Sequence, residues 1–227
     1  MSLQFKPLHK VFAAEANGID ITKPLQESDV RAINTGMNQH AVLVFRGQVL
    51  SAQQQLDFSK SFGPLDTGLK RVFKRPERLE DERLIDISNV DVHGNVAKRD
   101  SPKNLSNFAN QLWHSDSSFM NPRAAYSMLH CLVKPSWGGN TEFADLRNAY
   151  DTLDARTLNE IKDLEAEHFA LHTRILLGDD AYTDDQKKEI PPAVWPLVNT
   201  HPGSGRKVLF TGVHARQIIG WPTAESR

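Results

Sequence analysis

Two residues in the middle of the chain have the types and the spacing of a metal site. Within residues 112–116, His114 and Asp116 are separated by one residue. An extended backbone would place both side chains on the same side, because strand side chains repeat every two residues. Iron(II) in oxygenases takes two histidines and one carboxylate on one face of an octahedron. The pair therefore predicts two ligands of a single divalent metal ion.

The His-x-Asp spacing by itself is a weak signal, since an isolated example is more often a surface histidine beside an incidental aspartate. The composition of the chain disfavours several other classes of protein. The 227 residues carry a net charge of −1 and one cysteine. This composition disfavours a strongly cationic nucleic-acid binder, a disulfide framework and a cysteine-rich zinc module. No apolar run is long enough for a membrane helix. We expect a soluble, cytoplasmic protein with no nucleic-acid or membrane partner.

A second histidine pair, His168 and His172, has the four-residue spacing of a zinc pair on one helix. The residues around it are partly extended in pattern, which favours two unrelated structural histidines. Both interpretations stay open at the level of the sequence.

The elements that must position the metal pair are predicted to form a mainly β core with flanking helices. Helices are expected from Ser28 to about Gln39 and after Ser51, where a serine can cap the first turn. Residues 101–112 are predicted to be a loop, and Cys131 a small core side chain inside a buried strand. The predicted strands are 41–45, 84–88, 125–133 and 141–145, with a hairpin of 197–200 and 207–210.

The segment that contains the metal pair, residues 107–119, closely resembles the metal motif of the taurine dioxygenase family. Four further segments resemble family segments in the family's order: residues 42–48, 62–65, 138–143 and 200–207. The resemblance covers essentially the whole chain. It implies a double-stranded β-helix, or jelly roll, as a single domain over residues 1–227. It also implies iron(II), 2-oxoglutarate and O2 in the reaction, with ascorbate as a reductant.

The resemblance also assigns roles to individual residues. His114 and Asp116 match the first two iron ligands, and Thr141 matches a threonine whose hydroxyl donates to a 2-oxoglutarate carboxylate. The expected contacts to the substrate are Ser118, Asn95 and Lys98, with the neighbouring Arg99, and His201 on the substrate side. Without the resemblance, Thr141 is an ordinary strand residue and residues 95–99 are a solvated basic loop.

The activity implied is hydroxylation of an aryloxyalkanoate-type carboxylic acid at the carbon next to its ether oxygen. The products would be a phenol and glyoxylate, while 2-oxoglutarate gives succinate and CO2. The expected partner is then a small-molecule carboxylic acid. The sequence is also compatible with a homo-oligomer. Two alternatives are an inactive or partner-dependent truncated jelly-roll binding domain and a dioxygenase for taurine-like sulfonates.

The family pattern includes two features that these residues do not contain. One is a distal iron-binding histidine in a segment resembling Trp-Asp-Asn, and the other is an arginine that pairs with 2-oxoglutarate. We expect the chain to lack the final strands of the jelly roll and to be an incomplete record of a longer protein. A natural truncation is the first alternative. The second is a rearranged fold in which His201 or His214 supplies the third ligand.

Overall fold

The computed structural model describes residues 3–73, 78–99, 101–179 and 182–226. The chain divides into two compact units. Unit 1 comprises Met1–Leu65, Met128–Asp154 and Thr200–Leu209, and unit 2 comprises Asp66–Ser127, Ala155–Asn199 and Phe210–Arg227. None of the helices in the described ranges has both the length and the apolar character needed to cross a membrane.

The secondary structure combines short strands with short helices. In chain order the elements are β1 (Gln4–Pro7), β2 (Ala14–Asn17), α1 (Glu27–His40), β3 (Leu43–Val44), α2 (Ala52–Lys60), α3 (Lys70–Phe73), α4 (Pro102–Asn110), α5 (Leu146–Asp151), α6 (Ala155–Ile161), β4 (Glu165–His168), α7 (His172–Leu176), α8 (Asp184–Glu189), β5 (Ala193–Pro196), β6 (Val198–Thr200), β7 (Lys207–Leu209), β8 (Ala215–Ile218) and α9 (Thr223–Ser226).

Both helices predicted from a capping serine are present, and one of them begins at the predicted residue. Ser51 accepts a hydrogen bond from the backbone N–H of Gln54, whose side chain accepts in return from the N–H of Ser51 at 2.8 Å, so α2 starts with a capping box. The prediction for α1 is confirmed with a shifted start. Gln26 rather than Ser28 is the N-cap, because Asp29 accepts from the backbone N–H of Gln26.

Unit 1 contains a three-stranded sheet in the order β1-β2-β3, with β1 antiparallel and β3 parallel to β2. A buried ion pair fixes the start of α5 in the same unit. Arg147 contacts Asp145 at 2.9 Å and also donates to the carbonyl of Asn38 at 2.7 Å. Breaking a buried pair of this kind leaves an uncompensated charge, which is strongly destabilising. This pair anchors the chain four residues after Thr141.

Unit 2 contains an antiparallel sheet in the order β5-β4-β8. Its register shifts between Glu167 and His168 of β4, where β8 has the extra residue Arg216. His168 at the end of β4 is buried. A hydrophobic cluster continues from this sheet and is formed by Val72, Ala170, Leu171, Tyr182 and Ile190.

The predicted hairpin is also confirmed, since β6 and β7 pair as a two-stranded sheet.

Several predicted elements were wrong. Residues 84–88, 125–133 and 141–145 form no strand. Residues 101–112, predicted as a loop, contain α4, because the hydroxyl of Ser101 accepts from the backbone N–H of Asn104 and caps the first turn. An asparagine-rich composition disfavours a helix only weakly, so a cap and tertiary contacts override it.

The burial predicted for residues 125–133 was also wrong. Leu129 and Val133 are 67% and 86% exposed, and Cys131 is exposed rather than a core side chain. An apolar run is buried on both faces only when neighbouring strands and covering elements flank it. In the part of the chain that the structure describes, this run pairs with no strand.

Candidate functional site

The structure brings the predicted metal pair together in unit 2. The Nε2 atom of His114 lies 3.2 Å from Oδ1 of Asp116. Neither residue belongs to a helix or a strand; α4 ends just before them, and Asp116 lies in a turn. The two side chains therefore converge by way of a turn rather than through the alternation of a strand.

Each member of the pair is oriented by a further hydrogen-bonding group. The Nδ1 atom of His114 lies 2.6 Å from the carbonyl oxygen of Leu112, and the hydroxyl of Ser127 donates to Oδ2 of Asp116 at 2.7 Å. A carbonyl at Nδ1 favours the tautomer that leaves the lone pair on Nε2, which is the common arrangement of a metal-binding histidine. One nitrogen and one carboxylate oxygen then face the same point, a donor set that suits iron(II) or manganese(II).

The two groups also shift each other's pKa. The hydrogen bond to Asp116 raises the pKa of His114 above its usual range, against the opposing effect of burial. The hydrogen bonds from His114 and Ser127 lower the pKa of Asp116, again against burial. Without a metal, both shifts favour the charged form of the side chain. A divalent cation would displace the proton from the imidazole, as ligand binding to a metal requires.

A second segment packs directly against the metal pair. The backbone N–H of Val213 donates to the carbonyl of Trp113 at 2.9 Å. A Cβ atom at Gly212 would lie 3.3 Å from the Cα of His114, so the two backbones are in close contact. The ring of His214 lies 5.8 Å from that of His114. Sequence reasoning considered His214 only as an alternative third ligand.

His214 is a neighbour of the pair rather than part of a metal cluster. Its ring also contacts Phe119 at 5.0 Å. Burial, and then the nearby charge of His114, lower the pKa of His214 to about 4, which keeps the imidazole neutral at pH 7. Among the described residues, no group of three or more His, Cys, Asp or Glu side chains could hold a metal ion. His201 and His214 therefore complete no three-ligand site there.

Comparison with known protein families shows which family this chain belongs to. The family model described as "Taurine catabolism dioxygenase TauD, TfdA family" matches residues 4–227. The chain belongs to this dioxygenase family.

Individual members of the family match along the whole chain. The chain is 51% identical to the alpha-ketoglutarate-dependent 2,4-dichlorophenoxyacetate dioxygenase of Cupriavidus pinatubonensis, over 100% of this chain and 79% of the relative. It is 32% identical to the (S)-phenoxypropionate/alpha-ketoglutarate-dioxygenase of Delftia acidovorans, over 99% and 76%. The crystal structure of AAD-2 in complex with Mn(II) and N-oxalylglycine matches with a TM-score of 0.89 and 36% identity, over 100% and 79%.

Asn95 and Lys98, two of the residues that the family resemblance assigns to the substrate, lie on an exposed loop of unit 2. This loop is fastened to α4. The side-chain amide of Asn104 donates to the carbonyls of Ala97 at 3.0 Å and of Lys98 at 2.8 Å. The amide of Asn107 donates to the carbonyl of Ser88 at 2.9 Å. The helix that leads into the metal pair therefore also fixes this loop.

Ser118, Thr141 and His201 differ in their surroundings. Ser118 is only 2% exposed, and its carbonyl accepts from the indole N–H of Trp195 at 2.8 Å. Thr141 is exposed in unit 1. His201 lies in the β6–β7 loop, where Nδ1 accepts from the backbone N–H of Ser204 at 3.1 Å. The roles of these residues toward ligands stay predictions.

Sequence reasoning missed a cluster of side chains in unit 2. The guanidinium of Arg123 lies over the ring of Phe210 at 4.4 Å and over that of Trp195 at 5.2 Å. His168 stacks on the same Phe210 ring at 5.1 Å. No local pattern marks Arg123, because its partners follow it by about 70 residues or more. His168 ends β4 whereas His172 begins α7, so the two histidines do not share a helix.

Proposed function

We propose that this chain is an iron(II)- and 2-oxoglutarate-dependent dioxygenase that hydroxylates an aryloxyalkanoate-type carboxylic acid. One observation carries the proposal: His114 Nε2 and Asp116 Oδ1 converge at 3.2 Å, in a chain 51% identical over its full length to a 2,4-dichlorophenoxyacetate dioxygenase. The jelly-roll architecture, as a single domain, is part of the same proposal. It is supported by the TM-score of 0.89 to AAD-2.

His114 and Asp116 are the residues that would hold the metal, through one nitrogen and one carboxylate oxygen. Leu112 and Ser127 keep these donors aimed at the same point. The Mn(II) and N-oxalylglycine in the AAD-2 structure support a metal beside a dicarboxylate, because N-oxalylglycine carries an N–H where 2-oxoglutarate has a methylene. We assign Thr141 as the hydroxyl donor to a 2-oxoglutarate carboxylate, and ascorbate as the reductant.

The metal, when bound, would activate O2, which is the oxidant, and 2-oxoglutarate would supply two of the electrons that reduce it. One atom of O2 enters succinate as 2-oxoglutarate loses CO2, and the other enters the substrate as a hydroxyl group beside the ether oxygen. The bond between the hydroxylated carbon and the ether oxygen then breaks, and the hydroxyl proton passes to the leaving oxygen, which gives a phenol and glyoxylate. In this proposal Ser118, Asn95, Lys98 and His201 are each assigned a role in substrate binding. Their task is to point the carbon beside the ether oxygen at the metal.

The proposal is tested by substrate-dependent succinate release. The protein is incubated with iron(II), ascorbate, 2-oxoglutarate and either phenoxyacetate or taurine. We expect succinate with phenoxyacetate, and its loss in His114→Ala and Asp116→Ala. The matched control is His9→Ala, which removes an exposed histidine of unit 1 and should retain wild-type turnover. If succinate is released with taurine but not with phenoxyacetate, the substrate is a sulfonate rather than an aryloxyalkanoate. If succinate is released with neither compound, the proposed activity is refuted.

A second candidate, a binding domain without catalysis, is favoured by one observation. Within the described ranges, no third ligand joins His114 and Asp116 in a group that could hold a metal. Oxygen activation needs the facial geometry of three protein ligands. This candidate predicts no visible charge-transfer band when iron(II) and 2-oxoglutarate are added to the protein without oxygen. A band that requires His114 would exclude it.

A further inference from the structure

A cluster of four side chains in unit 2 holds a positive charge against aromatic rings. It consists of Arg123, His168, Trp195 and Phe210, and we refer to it as the arginine–aromatic cluster. Phe210 is buried, and its ring contacts both the Arg123 guanidinium at 4.4 Å and the His168 ring at 5.1 Å. The Trp195 ring meets Phe210 edge-on at 6.3 Å. The guanidinium is therefore held over two aromatic rings, which restricts its orientation.

The cluster has buried hydrogen-bonding atoms without partners. Nη1 of Arg123 and both ring nitrogens of His168 are buried and accept or donate no hydrogen bond. His168 is only 1% exposed. Among the described residues, no carboxylate pairs with Arg123. Buried polar atoms in native proteins nearly always have partners, and a buried charge without one is costly. The structure thus contains a half-buried cation and a buried neutral imidazole whose hydrogen-bonding atoms have no partner among the described residues.

We propose that Arg123 binds a carboxylate of a small-molecule ligand, within the arginine–aromatic cluster, and that His168 completes the site as a neutral hydrogen-bonding partner. A guanidinium matches the two oxygens of a carboxylate in a bidentate arrangement. One uncompensated positive charge beside a neutral ring balances a single negative charge, so it suits a carboxylate better than a phosphate dianion.

The cluster is tied to the metal segment. The indole N–H of Trp195 donates to the carbonyl of Ser118 at 2.8 Å, and Ser118 follows the metal ligand Asp116 by two residues. The inference rests on the proposed function for the identity of the ligand, because the proposed reaction uses two kinds of carboxylate. These are the aryloxyalkanoate substrate and 2-oxoglutarate. The shared chemistry is the carboxylate, and the experiment separates its two sources.

The experiment measures binding to the metal-free protein, so it does not depend on turnover. Calorimetric titrations with phenoxyacetate, 2-oxoglutarate and the neutral phenoxyethanol give dissociation constants. Spectra of protein labelled with 15N-arginine report the side-chain Nε–H signal of Arg123. We expect one of the two carboxylates to bind and to shift that signal, and phenoxyethanol to leave it unchanged. The carboxylate that does so identifies the source.

The decisive variant is Arg123→Met, which keeps an apolar stem against Phe210 but removes the charge. We expect its dissociation constant for the carboxylate to rise about ten- to a hundredfold, the usual effect of losing a charged hydrogen bond. Arg156→Met makes the same chemical change at an exposed position of α6 and should bind like the wild type. If Arg123→Met fails to fold, Arg123→Lys keeps a charge without the planar fork and should still weaken binding severalfold.

Three results would overturn the inference. They are unchanged binding in a folded Arg123 variant, binding that leaves the Arg123 signal unmoved, and no binding of either carboxylate by the wild type. A cluster with a purely structural role would give the first or the third. Succinate release reports separately on the proposed function. If the protein turns over its substrate but the Arg123 variants bind carboxylates as the wild type does, only this inference is refuted. If the wild type binds a carboxylate through Arg123 but releases no succinate, only the proposed reaction is refuted.

Discussion

The Nδ1 atom of His114 lies 2.6 Å from the carbonyl oxygen of Leu112, two residues earlier in the chain. This contact sets the chemistry of the imidazole, because a proton on Nδ1 leaves the Nε2 lone pair for a metal. On the other side, Nε2 faces Asp116 at 3.2 Å. A short stretch of chain therefore provides the two predicted ligand atoms, one nitrogen and one oxygen, and the group that orients the nitrogen.

Ser127 orients the other ligand, and its removal should weaken metal binding. Its hydroxyl donates to Asp116 Oδ2 at 2.7 Å and helps to lower the pKa of that carboxyl. We expect Ser127→Ala to reduce Mn(II) affinity by about tenfold, since removing such outer partners typically costs ten- to a hundredfold. Titration with Mn(II) followed by electron paramagnetic resonance measures the effect. Ser136→Ala, at an exposed position, is the control, and equal affinities for the two variants would contradict the prediction.

Gly212 is required where the backbone meets the metal segment. Its φ of +155° disfavours other residues, and a Cβ would lie 3.3 Å from both His114 Cα and the Trp113 carbonyl oxygen. We expect Gly212→Ala to lower the free energy of unfolding by about 2 kcal/mol and to weaken Mn(II) binding. Gly178→Ala separates the two causes, because Gly178 also has a positive φ but nothing near its Cβ. Stability is measured by chemical denaturation. If the two variants lose equal free energies of unfolding and bind Mn(II) with equal affinity, the steric contact at Gly212 is excluded as a cause.

Asn107 should hold the loop that carries the predicted substrate residues. Its side-chain amide donates to the Ser88 carbonyl at 2.9 Å from the middle of α4. We expect Asn107→Ala to cost about 1 kcal/mol of stability and to speed amide hydrogen exchange in residues 88–98. Asn110→Ala removes an exposed asparagine at the end of the same helix and should change neither. Faster exchange along the whole chain, rather than in this loop, would argue against a local anchor.

His168 should make the protein sensitive to acid. Burial, and then the charge of Arg123, lower the pKa of His168 to about 4 in the folded state, against an ordinary value of 6.5. The unfolded chain therefore binds more protons between these values. The stabilisation is fully present above pH 6.5 and is lost as the pH falls towards 4, by at most about 1.4 kcal/mol per pH unit.

The test compares the free energy of unfolding of the wild type and of His168→Leu from pH 7 to pH 4.5. We expect the variant to lose less stability across this range, whatever its stability at pH 7. His93→Leu, at an exposed position, should follow the wild-type slope. Identical slopes for all three proteins would show that His168 is already protonated or accessible in the folded state.

Local signals in the sequence predicted the features whose causes are local. The capping box at Ser51 fixed the start of α2, and the predicted hairpin formed β6 and β7. The His-x-Asp spacing predicted a metal pair, and the structure brings its two side chains to 3.2 Å. These features depend on residues close together in the chain, so the amino-acid sequence alone is enough to predict them.

The sequence by itself thus determined the family and the cap of α2, and it predicted His114 and Asp116 as a metal pair. Only the tertiary structure decided which side chains surround them. Arg123 meets Phe210, and His114 meets His214, across separations of about 90 to 100 residues. The exposure of Leu129 was decided in the same way, by the absence of a paired strand in the described residues. Burial and ring contacts depend on which distant segments meet, and no local pattern encodes that choice.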